Sequence, residues 1–200
     1  MPSHQLEYEI LGTSAQSVEI ILDPGETVIA EAGVMNYMTE GVRFETRMGD
    51  GSASGVLGKL WGVGKRLLTG ESLFMTHFSN AGKRPARVAF AAPYPGTVVP
   101  IQLAEVGGRL ICQKDAFLCA AMGTTVGIAF NKKIGAGLFG GAGFILQDLR
   151  GAGKVLVPAG GTIVEKRLPG EKLRVDTGGL GARALAVECA SEKAGRLKAV

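Results

Sequence analysis

Two hundred residues are enough to bury a substantial core, and 46% hydrophobic against 20% charged residues excludes a disordered chain. A formal charge of +4, from 22 cationic and 18 anionic side chains, lacks the strong basic excess of a dedicated polyanion binder. Glycine, at 31 residues, is about twice its usual ~7% share, and the absence of a Gly-X-Y period excludes collagen.

The N-terminus, Met1-Pro2-Ser3-His4, has neither a basic region nor an apolar stretch of the secretory kind. Short β-branched or aromatic runs then follow, bounded by Gly, Pro, Asn or Asp. They predict strands at Val18–Leu22, Val28–Ala30, Val42–Thr46, Leu73–Phe78, Val88–Ala91, Val98–Leu103 and Arg109–Cys112. Further strands are predicted at Val126–Phe130, Phe144–Leu149, Lys154–Val157, Thr162–Leu168, Lys172–Val175 and Ala184–Cys189. Only Val56–Leu68 carries helical periodicity. The uncharged runs Ala116–Phe130 and Ile134–Gln147 fall short of the ~18–20 residues of a membrane-spanning helix. An all-β, cytoplasmic protein is expected, with a peripheral membrane contact as an added option.

Self-comparison shows a recurring unit. Gly70–Lys83 lies over Gly141–Lys154 at a constant offset of 71 residues (70 to 141), both closing on Ala-Gly-Lys. Gly96–Leu103 lies over Gly161–Leu168 at an offset of 65 (96 to 161), and Pro24-Gly25-Glu26 echoes Pro169-Gly170-Glu171. A single compact unit, 1–200, is expected, with repeats at about 5–55, 70–135 and 141–195. Such units share a core because each alone exposes its sheet edges.

The chain announces no catalytic site, cofactor or metal. Of two histidines, His4 is terminal, and His77 lies on the strand face opposite Phe74, Thr76 and Phe78, which places it on the solvent side or between units. Cys112, Cys119 and Cys189 lack the spacing of a zinc site or a disulfide framework and read as buried free thiols of a reducing compartment. Gly135-Ala-Gly137-Leu-Phe-Gly140 spells a dinucleotide fingerprint but precedes a predicted strand where the pyrophosphate needs a helix N-terminus. Gly62-Val-Gly64-Lys65-Arg66 fails as a phosphate loop, because Lys59 and Arg66 stand where Gly and Ser/Thr are required. Glu26 and Glu171 sit at matching turns, a structural use of carboxylates.

Two glycine-rich connectors stand out. One holds Leu57, Leu60 and Trp61 beside Lys59, Lys65 and Arg66, and the other holds Leu138 and Phe139. Packed in a subunit interface they would bury these side chains, while an interfacial helix would lay them on a membrane. These five residues are the candidate interface or membrane-contact positions.

Leu67–Met75 (Leu-Leu-Thr-Gly-Glu-Ser-Leu-Phe-Met), Pro95–Ile101, Gln113–Leu118 and Gly137–Gln147 together resemble the bacterial relatives of the mitochondrial "altered inheritance of mitochondria" protein twenty-four, over nearly the whole chain. The resemblance implies a fold like the tryptophan RNA-binding attenuation protein (TRAP): a β-sandwich or double-stranded β-helix repeated within one chain. It also implies a homo-oligomer, with a trimer favoured, and assigns no catalytic residues. A fold likeness to an RNA binder does not transfer function. The expected role is a non-enzymatic scaffold or interaction protein that meets a protein partner or a membrane surface. The alternative is an RNA- or small-ligand-binding module of TRAP type. Nucleic acid is disfavoured, because aromatics form only 6% of the chain and lie mostly inside apolar strands.

Overall fold

A computed structural model describes residues 5–48, 74–113, 116–130, 145–175 and 182–184. The first strands are β1 (Glu7–Leu11), β2 (Ser17–Leu22), β3 (Thr27–Glu31), β4 (Met35–Met38), β5 (Val42–Met48), β6 (Phe74–Asn80) and β7 (Ala86–Ala91). They continue as β8 (Thr97–Gln102), β9 (Arg109–Gln113), β10 (Cys119–Ala121), β11 (Thr125–Phe130), β12 (Ile145–Arg150), β13 (Lys154–Ala159) and β14 (Ala182–Ala184). Among the described residues the helical content is one 3-10 turn, Leu103–Val106. The chain is all-β.

Every pairing is antiparallel. One sheet runs β1-β2-β7-β4, a six-stranded sheet runs β5-β6-β3-β10-β13-β8, and a third runs β11-β12-β9-β14. The six-stranded sheet lies between the other two, which the alternation of its side chains makes plain. Val28 and Ala30, Cys119 and Ala121, and Leu156 pack with Val18, Ile20, Val88 and Phe90 of the first sheet. Their neighbours Ile29, Ala120, Val155 and Val157 pack with Leu110, Cys112, Val126 and Leu149 of the third. A strand covered on both faces has no polar positions to spare. Val28-Ile29-Ala30, Cys119-Ala120-Ala121 and Val155-Leu156-Val157 are accordingly unbroken apolar runs.

One pairing scheme occurs twice. β6 stands between β5 and β3 as β12 stands between β11 and β9, and β7 stands between β2 and β4 as β13 stands between β8 and β10. The strands aligned by the offset of 71, β6 and β12, therefore hold matching places. The match at Gly96 and Gly161 does not extend as expected. Gly96 leads into β8, where an added methyl would collide with the Ala159 carbonyl of the paired β13, so the close backbone approach needs glycine. The residues after Gly161, which itself has φ +72°, form no strand.

Three strands form where none is predicted: β1, β4 and β10. β10 is Cys-Ala-Ala, poor in β-branched residues, yet it is held on both sides by β3 and β13. Two predicted strands are absent. Thr162–Leu168 and Lys172–Val175 have strand composition but join no ladder among the described residues, and a strand exists only as part of a ladder. The predicted strand at Ala184–Cys189 meets β14 only at Ala184, and its remainder lies outside the described residues, as does the helix expected at Val56–Leu68.

Candidate functional site

The candidate interface residues Leu57, Leu60, Trp61, Leu138 and Phe139 lie outside the described residues, as do His4, Cys189 and both glycine motifs. The other positions singled out by sequence can be placed. Glu26 accepts a hydrogen bond from the Asp23 N–H at 2.9 Å, closing its own turn, and Glu171 is exposed. Cys112 and Cys119 are free and buried, in opposite cores. Burial pushes the Cys112 thiol up to about 12 and the Cys119 thiol upward as well, so neither is a reactive thiolate.

Charged side chains on the outer sheets are largely used up in clamps. On the first sheet Tyr37 donates to Glu19 at 2.6 Å, and Arg87 bonds the same carboxylate from the adjacent strand. The Tyr37 hydroxyl, then the Arg87 guanidinium, hold Glu19 below the ordinary carboxylate range. On the third sheet Arg109 grips Asp148 with two bonds of 2.7 Å, and Arg150 adds bonds of 3.0 and 2.6 Å. These are cross-strand and same-strand ties. Among the described residues no three of His, Cys, Asp and Glu gather closely enough to hold a metal ion.

The site with chemical potential lies between the central and third sheets. β6 alternates, so Thr76 and Phe78 point away from it while Met75 and His77 point into it. The β10–β11 turn folds over these two residues. Gly123 takes φ +96°, and the Thr124 N–H donates to the Ala121 carbonyl at 3.2 Å, setting Met122 and Thr124 beside the same space. The result is a cavity of about 90 Å³ lined by Ile29, Met75, His77, Met122, Thr124 and Val126, among others. Met75 is buried and Met122 is 39% exposed at its mouth. A solvent-side position for His77 is thereby corrected: only 6% of it is exposed, because the β10–β11 turn covers it. No strand pattern within β6 could have shown that cover.

Among the described residues, His77 Nε2 and Thr124 Oγ1 are buried with no hydrogen-bond partner, and so are both polar side-chain atoms of Gln147 on β12. Such orphaned groups are rare in native proteins, and two of them share this cavity. Burial pulls the His77 pKa down; Arg47 on β5 lowers it further and Glu45 opposes. The folded protein therefore holds the imidazole neutral.

That shift gives a testable sign. Because the folded pKa lies below the ordinary 6.5, the unfolded chain takes up a proton first as pH falls. Stability is then full above about 6.5 and drains away as pH drops through the folded pKa. Urea unfolding at a series of pH values checks this: His77→Gln is expected to flatten the slope just below pH ~6.5, and an unchanged slope would exclude His77 as its source.

The geometry defines a three-layered, all-antiparallel β protein with a thioether- and imidazole-lined cavity between two of its layers. The chain belongs to the family whose model is described as mitochondrial biogenesis AIM24, which matches residues 8–200. It is similar to an uncharacterized protein, M6_Spy0233, of Streptococcus pyogenes serotype M6, at 34% identity over 161 residues; the match covers 80% of this chain and 62% of that relative. It is also similar to the crystal structure of SPYM3_0169 from Streptococcus pyogenes, with a TM-score of 0.56 and 25% identity, covering 78% of this chain and 66% of that one. The chain thus spans less than two thirds of either relative's length.

Proposed function

We propose that the chain is a non-enzymatic scaffold or interaction protein that works by self-association, with a trimer ahead of a dimer. The observation that carries this reading is the segment 161–175. It has strand composition, forms no strand, and exposes apolar side chains at Ile163, Val164, Leu173 and Val175, of which Val164 is 66% exposed. Exposed extended segments of this kind add to open sheet edges, and β4, β8 and β14 each end a sheet here. A second copy offering its own edge would bury these side chains and close the assembly with point-group symmetry.

A cytoplasmic location accords with the two free thiols Cys112 and Cys119, and among the described residues no helix is long and apolar enough to cross a membrane. A peripheral membrane contact rests on the composition of 56–68 alone. The RNA-binding alternative draws on a shallow groove where Lys83, Arg84 and Arg87 face Glu40, but no aromatic side chain lines it for base stacking.

Sedimentation of the purified chain at micromolar concentration, beside Val164→Lys/Leu173→Lys, tests the proposal. The wild type is expected to sediment as an oligomer and the double variant as a monomer. A monomeric wild type would overturn it.

A further inference from the structure

We propose that the cavity between the central and third sheets is a binding site for one soft monovalent cation of the copper(I) type, held by His77 Nε2 and the thioether sulfurs of Met75 and Met122. The donor set comes from the fold. Met75 and His77 are two residues apart on β6, so both side chains leave the same face of the sheet. Met122 arrives from the β10–β11 turn, whose path is set by the left-handed Gly123. Methionine has three rotatable bonds, which lets two thioethers close on an ion in a cavity of about 90 Å³.

Each donor's chemistry points to the same class of ligand. Thioethers are soft, polarizable and uncharged, and with imidazole they suit copper(I). Hard cations favour anionic oxygen donors, and among the described residues this cavity offers threonine hydroxyls but no carboxylate. Zinc sites draw on thiolate, imidazole and carboxylate ligands, of which only the single imidazole of His77 is present. His77 Nε2 is buried without a partner, which leaves a costly orphan unless something in the cavity bonds to it. The charged groups beside it, Glu45 and Arg47 on β5, are paired with each other at 2.8 Å and compete for neither the nitrogen nor the sulfurs. Thr124 Oγ1, also unpartnered, can hydrogen-bond a water that completes the coordination shell.

The test uses the full chain carrying Cys189→Ser, so that the two remaining thiols, Cys112 and Cys119, are both buried. Copper(I) is titrated anaerobically against the chromophoric chelator bicinchoninate. One equivalent is expected to bind, and Met122→Leu and His77→Gln are each expected to weaken it at least tenfold (~1.4 kcal/mol). Met122 sits at the cavity mouth and leucine keeps its volume, so that variant retains the fold. Silver(I), a redox-silent surrogate, is added to the histidine-labelled protein in parallel and is expected to shift the His77 ring signals in the NMR spectrum. Copper(I) affinity equal in Met122→Leu, His77→Gln and their parent, or His77 signals unmoved by silver, would overturn the assignment.

Discussion

Replacing Phe90 by alanine is expected to lower the unfolding free energy by about 3–5 kcal/mol. Phe90 is fully buried on β7, and its ring meets that of Phe78 on β6 at 5.2 Å with an interplanar angle of 72°. This edge-to-face contact joins the first sheet to the central one, so truncation removes apolar burial and an aromatic pair together. The sheets are tied through their strand ladders and cannot collapse far into the void, which puts the loss toward the upper end of the range. Urea unfolding monitored by circular dichroism measures it, and Phe90→Leu should lose clearly less. A loss under about 1 kcal/mol for Phe90→Ala would mean that this layer is not packed as described.

The second large effect is expected at Asp148, whose side chain is 5% exposed on the outer face of the third sheet. Asp148→Ala is expected to destabilise by about 3 kcal/mol, the lower end for breaking a buried pair, because Arg150 is half-exposed and returns to water. Burial acts to raise the Asp148 pKa, but the hydrogen bonds from Arg109 and Arg150 outweigh it and hold the carboxyl below its ordinary 3.8. A carboxylate of this kind stabilises the fold above the unfolded value and loses that contribution as pH falls through the folded one. The wild type is therefore expected to exceed Asp148→Asn in stability at neutral pH, with the gap closing below pH ~4. A gap that persists in acid would show that the asparagine disturbs packing instead of charge.

Much of the strand content was legible in the residues. β2, β3, β5, β7, β8, β9, β11 and β13 fall on runs whose β-branched and aromatic side chains fit a pleated, half-buried surface. β6 and β12, which the 71-residue offset aligns, each stand between two other strands of a sheet. The candidate site was barely legible. Periodicity on β6 puts His77 on the face away from Thr76 and Phe78 but is silent on what covers that face. Met75-Thr76-His77 could have been marked as two ligating side chains on one side of a strand. Met122 is 45 residues away from His77 in sequence (77 to 122), and no local pattern connects them.

The sequence by itself determined that the chain is β-rich, glycine-punctuated and free of a familiar catalytic motif, because propensity, alternation and turn chemistry act over a few neighbouring residues. Family membership, too, was readable from local runs such as Gly70-Glu-Ser-Leu-Phe74. Only the tertiary structure decided which candidate runs became strands. Cys119–Ala121 became one because β3 and β13 flank it, and Thr162–Leu168 did not because nothing among the described residues pairs with it. Stacking of three sheets likewise turned a histidine expected at a surface or a unit boundary into a buried, neutral, unpartnered base, since burial depends on the layer above a strand and not on the strand itself.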